Sequence, residues 1–234
     1  MPYSWHFEVI GQYAPAFWAG LQTTIALSVS VIFLSIVGGI GLAVLRKQGA
    51  FPPLSSFAGG LIEFLRAIPK LVILIWIYYA FPTLSGIRFS AFETAVIAFS
   101  IISAAFVAEI IRAGMESIPS GQIDAAQMLG LSHVQILRHV VLPQSILRSV
   151  PSLAGEFSTI VKDTGLAMFI GVNELILTTN TASSVSYRPL ELYTALGIIF
   201  LLIIFPLSWI SKRFEFKNWI KKMKVETRHN IKSQ

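Results

Sequence analysis

Five apolar segments, each about long enough to cross a lipid bilayer as a helix, constrain the fold of this chain more than any other feature. About 20 apolar residues span a hydrocarbon core. The chain is 54% hydrophobic and only 13% charged, which leaves too few polar residues to cover a soluble domain. The sequence therefore predicts an all-α, polytopic membrane protein with about five transmembrane helices, covering residues 21–44, 54–81, 92–113, 146–172 and 192–210.

No shift in composition, low-complexity tract or clear repeat divides the chain. We expect a single transmembrane domain over residues 1–234, with its core at about 15–213. The first 20 residues lack the basic region of a cleaved signal peptide, so we expect them to be retained. Apolar and polar residues are mixed between positions 7 and 18, which favours a separate helix lying in the membrane interface.

The lysines and arginines predict the orientation in the membrane. Eight of the 18 follow the last apolar segment and include the basic tail at 214–234. If the N-terminus lies outside, the inner side receives these eight and five others, whereas the outer loops keep only Arg88 and Arg188. We therefore expect a cytoplasmic C-terminus and a cytoplasmic loop at 120–143. The basic tail suits anionic lipid, and no aromatic-interleaved groove indicates a nucleic-acid partner.

The 121–143 loop is the longest polar-tolerant interval between apolar segments. We expect Ser120 to cap a short helix that ends at Gly130 in a left-handed conformation. Ser132 and Gln135 have the spacing of a capping box, which predicts a second short helix. The small residues Ala125, Ala126 and Gly130 allow another protein to approach the backbone, as when a helix sits in a groove. The alternative is an amphipathic surface hairpin without a partner.

Charged residues inside the apolar segments are candidates for function, because a charge at membrane depth is costly unless it faces protein or water. Their helical spacing places them on shared faces in three segments. Pro69 and Gly165 should interrupt the helices beside these charges, which suits a substrate site near the middle of the membrane. The charges are Glu63, Arg66 and Lys70; Glu109, Arg112 and Glu116; and Glu156 and Asp163, with Lys162 pointing away.

Two interpretations of these charges stay open. Glu156 and Asp163 either contact the ammonium or cationic side chain of a substrate, or form buried ion pairs with Lys162 or Arg66. Glu63 and Arg66 are spaced to bridge within one helix. The sequence has no cysteine, which excludes disulfides and thiolate metal sites. Neither a metal site nor a nucleophilic active site is indicated.

The spacing of the loop residues resembles the E-A-A-x3-G-x9-I-x-L-P signature of the membrane subunits of bacterial binding-protein-dependent ABC importers. Asp124 stands at the usual Glu position and Val140 at the usual Ile. The resemblance extends over residues 15–213 in runs that are similar to the polar amino-acid branch of that family. These runs are Gly20–Thr24, Glu63–Pro69, Ala108–Gly114, Lys162–Leu166 and Ile170–Leu175.

The resemblance implies a permease subunit that moves an amino acid across the bacterial inner membrane by alternating access. Its partners would be an ABC ATPase subunit, a second permease copy or paralogue, and an extracytoplasmic amino-acid-binding protein. The sequence has no P-loop, so ATP would be bound by the partner and no cofactor by this chain. The residues expected to couple to the ATPase are Asp124, Ala125, Ala126, Leu129, Gly130, Leu142 and Pro143.

The candidates for the substrate pathway are Glu156, Asp163, Lys162, Glu63 and Arg66. The acid surplus of the fourth segment favours a cationic amino acid, with glutamine or another polar amino acid next. Two other functions remain open. One is a secondary transporter or proton-coupled channel that uses the buried acids as a relay, and the other is a membrane scaffold whose loop recruits a soluble protein.

Overall fold

The computed structural model describes residues 3–47 and 52–209, and every regular element in these ranges is helical. The predicted basic tail lies outside the described residues. The α-helices are α1 (Glu8–Lys47), α2 (Pro52–Ala67), α3 (Lys70–Ile75), α4 (Phe81–Ser85), α5 (Ala91–Glu116), α6 (Ser120–Met128), α7 (His133–Ile136), α8 (Leu142–Asp163), α9 (Leu175–Ser186) and α10 (Pro189–Trp209).

Three described helices are long and apolar enough to cross a membrane by themselves: Glu8–Arg46, Ala91–Glu116 and Pro189–Trp209. The segment at 54–81 is interrupted because Pro69 separates α2 from α3. The segment at 146–172 consists of the less apolar α8, followed by the 3₁₀ turn Thr164–Ile170 that contains Gly165. The prediction of an all-α polytopic membrane protein is confirmed, and both predicted interruptions are present.

Helix α1 differs from its prediction. The sequence indicated an interfacial helix before residue 21, but the helix runs without a break from Glu8 to Lys47 and includes Pro15. Forty residues at 1.5 Å each give a helix of roughly 60 Å. Tyr3 and the backbone of His6 donate hydrogen bonds to the buried Glu191 carboxylate at 2.6 and 3.0 Å. The start of the chain is therefore fastened to the start of α10.

Helix α5 is the centre of the bundle and packs against α1, α2 and α8. Half of its buried residues are alanine or serine, so neighbouring backbones come close together. One close approach is at Gly39 of α1, where an added Cβ would lie 2.5 Å from Val107 Cγ1 and 2.9 Å from the Ala104 carbonyl oxygen. At Gly41 of the same helix, by contrast, an added Cβ would meet no atom within 4 Å.

Helix α9 was not predicted, because its polar sequence resembles a loop. Its first turn is capped by the buried Glu174, whose carboxylate accepts hydrogen bonds from the backbone N–H groups of Ile176 and Leu177 at 2.8 and 2.7 Å. The Thr24 hydroxyl of α1 accepts a hydrogen bond from the backbone N–H of Leu175 at 3.1 Å. These contacts hold α9 against α1 and fix the segment that leads out of α8.

Candidate functional site

The loop between α5 and α8 begins with helix α6. Ser120 is the first residue of this helix and not its cap, because Pro119 occupies the N-cap position and no side-chain capping hydrogen bond forms there. The prediction for Ser120 was therefore wrong. A proline fixes its own φ near the value found here (−59°) and leads directly into the helix.

The end of α6 is closed as the sequence predicted. Gly130 has φ +77° and donates its N–H to the Gln127 carbonyl at 2.9 Å, while Leu131 donates to the Ala126 carbonyl at 3.2 Å. These two bonds form a Schellman motif, which requires a residue in the left-handed region at position 130. The direction of the chain after α6 is thus set by Gly130.

We expect Gly130→Val to strain this turn, because a β-branched residue in the left-handed region costs about 1–2 kcal/mol. A Cβ added at this position would have no atom within 4 Å, so the effect comes from the backbone alone. Gly130→Asn is the matched control, since asparagine tolerates this conformation. Proteolysis of the loop in purified protein should accelerate for the valine variant only. Equal protection in both variants would contradict the account of the turn.

The second half of the loop begins with the predicted capping box. The backbone N–H of Ser132 donates to the Gln135 side chain at 2.8 Å, and the N–H of Gln135 donates to the Ser132 hydroxyl at 3.4 Å. Helix α7 is not a separate short helix, because a π-helical turn at Leu137–Val141 connects it directly to α8. One helical rod therefore runs from His133 to Asp163, roughly 45 Å at 1.5 Å per residue.

Burial divides the predicted coupling residues into two groups. Ala126 is only 5% exposed and packs into the chain's own core with Met115 and Ile136, so it is not part of an outer surface. Asp124, Ala125 and Gly130 are exposed. The outward tip of the loop is apolar, with Met128 90% and Leu129 81% exposed.

The rest of the loop surface adds one apolar residue that the sequence did not single out. Val134 of α7 is 66% exposed, whereas Leu142 is half-buried and packs against the core. We call Met128, Leu129 and Val134 the apolar tip. Exposed apolar side chains were predictable only in part, since nothing in the sequence shows which face of so short a helix turns outward.

A second site lies where α3, α5 and α8 meet. Lys70 Nζ is 2.6 Å from Asp163 Oδ2 and 3.7 Å from Glu156 Oε1, and these three residues form the three-charge cluster. Their side chains are 14%, 24% and 10% exposed, respectively. The sequence placed Glu156 and Asp163 on one face, which is confirmed. It named the wrong cations as possible partners, because Lys162 is exposed and Arg66 pairs with neither acid.

The surroundings of the cluster explain how Lys70 is held. The ring of Phe106 on α5 lies 5.3 Å from Lys70 Nζ and 5.4 Å from Arg66 Cζ, distances at which a cation is attracted to the face of an aromatic ring. The break at Pro69 places Lys70 at the start of α3. Sequence spacing put Lys70 on the face of Glu63 and Arg66, but only the fold brings it to the acids of α8.

Two buried oxygen atoms beside the cluster lack hydrogen-bond partners in the described structure, Glu156 Oε1 and Ser103 Oγ. Ser103 is 1% exposed and neighbours the Glu156 carboxylate. Buried polar atoms are normally hydrogen-bonded, so unpaired ones mark capacity for a further group. The cluster therefore combines a cation, two carboxylates and a serine hydroxyl at one place in the bundle.

A separate group of charges lies nearer the loop and ties α1, α2 and α5 together. Arg46 is 3.1 Å from Glu109 and 3.5 Å from Glu63, and Arg112 bonds to Glu109 and Glu116 on its own helix. We call these five residues the loop-end cluster. The predicted bridge between Glu63 and Arg66 was wrong, since Arg46 reaches Glu63 from the neighbouring helix.

We expect Glu109→Gln to destabilise the bundle by about 1–3 kcal/mol, because both Arg46 and Arg112 lose their shared carboxylate in a partly buried position. Glu63→Gln is the control, since that side chain is 70% exposed and an exposed pair contributes about 0–1 kcal/mol. Thermal unfolding in detergent measures both. If Glu63→Gln lowered the melting temperature as much as Glu109→Gln, that result would contradict this role of Glu109.

No group of three or more His, Cys, Asp or Glu side chains that could hold a metal ion occurs within residues 3–47 and 52–209. The chemistry of both sites is thus one of charge pairing, hydrogen bonding and apolar contact. A broken helix, partly buried charges of both signs and a continuous connecting rod define a polytopic membrane protein with a polar interior.

Comparison with known proteins identifies the family. Residues 35–219 match the family described as the binding-protein-dependent transport system inner membrane component. The chain belongs to this family of membrane components, as the sequence resemblance predicted. It is therefore a multi-pass inner-membrane component and is distinct from the subunit that hydrolyses ATP.

Relatives support the match over most of the chain. A probable glutamine ABC transporter permease protein, GlnM, of Bacillus subtilis strain 168 is 32% identical over 84% of this chain and 92% of its own. The arginine transport system permease protein ArtQ of the same organism is 31% identical over 85% and 90%. The L-cystine transport system permease protein TcyL, also of that organism, is 32% identical over 91% of each.

Solved structures give the same fold. The crystal structure of an amino acid ABC transporter with histidines superposes with a TM-score of 0.83 and 31% identity, covering 92% of this chain and all of that one. The inward-facing MetNI methionine ABC transporter superposes with a TM-score of 0.75 over 86% and 95%. Its identity of 20% indicates a shared fold alone.

Proposed function

We propose that this protein is the permease subunit of an ATP-driven importer that moves a polar amino acid across the inner membrane. The observation that carries the proposal is the continuous helical rod from His133 to Asp163, which has the cytoplasmic loop at one end and two partly buried carboxylates toward the other. Relatives named for glutamine, arginine and cystine transport support an amino acid as the substrate class.

The loop is the coupling element in this proposal. A partner ATPase subunit binds the apolar tip, with Asp124, Ala125 and Gly130 exposed around it and Leu142 and Pro143 at the junction with α8. Ala126 acts from inside by holding α6 against the core. ATP is bound by that partner, and this chain needs no cofactor.

Alternating access requires the loop to bias two states of the bundle. Moving such an equilibrium from 1:99 to 99:1 takes about 5.5 kcal/mol. A flexible loop would change its own conformation and would not transmit this bias to the bundle. The Schellman turn at Gly130 and the capping box at Ser132 make this one rigid, and the rod carries displacement directly to α8. Closure of the ATPase pair would thus reorient the charged interior between the two sides of the membrane.

The three-charge cluster lies on the substrate pathway in this proposal. An amino acid offers an ammonium and a carboxylate, and the cluster offers charges of both signs next to the Ser103 hydroxyl. Glu156 is the residue we assign to the substrate ammonium, with Asp163 beside it. Glu63, Arg66 and Lys162 lie outside this arrangement and have no assigned contact.

The remaining partners follow from the family. We propose that a second permease copy or paralogue completes the pathway and that an extracytoplasmic amino-acid-binding protein delivers the substrate. The N-terminus lies outside and the C-terminus inside, as the positive charges favour.

Reconstitution in proteoliposomes tests the proposal. The permease, its ATPase and the binding protein should take up a labelled polar amino acid only when ATP is present on the ATPase side. A proton gradient without the ATPase should give no uptake. Uptake that follows the proton gradient alone would establish a secondary transporter, and ATPase activity that responds to none of the 20 amino acids would remove the amino-acid assignment.

A further inference from the structure

We infer that Lys70 sets the charge selectivity of the pathway: it acts as a built-in cation that excludes cationic amino acids and selects neutral polar ones. The inference deepens the proposed function and rests on it. The spacing of charges along the sequence grouped Lys70 with Glu63 and Arg66, and not with the two acids of α8.

The position between the two acids, where a cationic substrate side chain would bind, is already filled by the Lys70 ammonium. It lies 2.6 Å from Asp163 Oδ2 and 3.7 Å from Glu156 Oε1, so one positive charge serves both acids. Phe106 supports the same ammonium from the other side at 5.3 Å. Two carboxylates and one ammonium leave a net charge of −1 where the two acids alone would carry −2.

Helix stability does not account for this lysine. Lys70 is the first residue of α3, and a cation at a helix N-terminus opposes the helix dipole. Its side chain is 14% exposed, and a lysine with so little access to water is expected to be paired. Its placement is therefore tied to the two acids of α8.

The capacity that remains suits an uncharged donor. Glu156 Oε1 forms an ion pair with Lys70 at 3.7 Å but no close hydrogen bond, and the Ser103 hydroxyl lies beside the same carboxylate. An amide or hydroxyl side chain can bond to both without adding charge. The ammonium of a zwitterionic substrate brings its own carboxylate, which Lys70 can bind.

A cationic side chain brings a positive charge to a cluster in which the Lys70 ammonium already lies between the two carboxylates. Within the few ångströms of the cluster it would face the Lys70 ammonium at short range, where like charges repel strongly in a poorly solvated interior. The acid surplus that favoured arginine or lysine in the sequence is thus halved, from −2 to −1, by a residue from another helix.

Direct binding to the permease tests this inference. The permease and ATPase complex is placed in nanodiscs without the binding protein, so that selection by that protein does not contribute, and labelled L-glutamine and L-arginine are titrated to millimolar concentrations. The wild type should bind glutamine at least about tenfold more tightly than arginine. Lys70→Met should shift that ratio toward arginine by about tenfold or more.

Three further variants separate selectivity from structure. Lys70→Arg keeps the charge and should keep the preference for glutamine. Lys162→Met removes an exposed lysine of α8 that lies outside the cluster and should leave the ratio unchanged. The double variant Lys70→Met with Asp163→Asn restores the net charge of −1 and should return the preference to glutamine, even if Lys70→Met alone assembles poorly.

The outcomes are distinct from those of the uptake experiment. Equal or undetectable binding of both amino acids by the wild type, a preference for arginine, or an equal loss of both ligands in Lys70→Met overturns the role of Lys70. ATP-driven uptake of an amino acid would still stand in each of these cases. Absence of that uptake defeats the proposed function itself.

Discussion

Replacing Met128 with aspartate is expected to reduce ATP-driven transport about a hundredfold or more, with the helical bundle still folded in the membrane. Met128 is 90% exposed at the apolar tip and contributes nothing to the core. Burial of a methionine in a partner's groove is worth about 1.5–3 kcal/mol, and placing a carboxylate there adds a desolvation cost. A loss of about 3 kcal/mol corresponds to two decades in affinity.

Met128→Leu is the matched control, because it conserves an apolar side chain of similar volume and should retain most transport. Thermal unfolding of the isolated permease should be the same for both variants. Amino-acid uptake and co-purification of the ATPase are then measured side by side. Wild-type uptake by the aspartate variant would contradict docking at the apolar tip.

Replacing Gly39 with leucine is expected to destabilise the bundle by about 3 kcal/mol or more. An added Cβ alone would lie 2.5 Å from Val107 Cγ1 and 2.9 Å from the Ala104 carbonyl oxygen. The second of these atoms belongs to the backbone of α5, so α1 and α5 would have to separate. Adding one or a few methylene groups to a tight core costs about 1–3 kcal/mol. A leucine side chain is a larger addition, so we expect a larger cost.

Gly41→Leu is the control for this experiment, since it lies one half-turn away on the same helix with no atom within 4 Å. Its higher helix propensity gives about 0.5–1 kcal/mol in the favourable direction. Thermal unfolding in detergent should therefore separate the two variants widely. Similar melting temperatures would show that α1 and α5 are not packed as described.

The sequence was informative where local chemistry decides the structure. Gly130 and the Ser132 capping box were predictable because each motif satisfies backbone groups within a few residues. Pro69 interrupts its helix for an equally local reason. The prediction that Ser120 caps α6 was wrong because the neighbouring Pro119 occupies the N-cap position.

The partners of charged residues were harder to predict, because they depend on packing between distant segments. Lys70 and Asp163 are 93 positions apart, and Arg46 reaches Glu109 over 63. Helical spacing shows which residues share a face but not which helix that face meets. The sequence therefore located the acids of α8 and assigned them the wrong cations.

Burial on short helices also required the fold. Ala126 matches the signature of the coupling loop, yet its side chain is inside, whereas Met128 carries no part of that signature and is the most exposed apolar residue of the tip. A nine-residue helix has too few turns for its apolar pattern to define one face. Only its position on the core determines which side remains outside.

Cross-linking from the apolar tip tests the central claim most directly. The chain has no cysteine, so Leu129→Cys introduces a single thiol at an exposed position, and a thiol-reactive photocrosslinker can be attached there in the assembled importer. Leu84→Cys, in α4 and 75% exposed, is the control. We expect an adduct with the ATPase subunit from position 129 and none from position 84. Labelling of position 129 only from outside the cell, or an assembled importer without an ATPase adduct, would contradict the account.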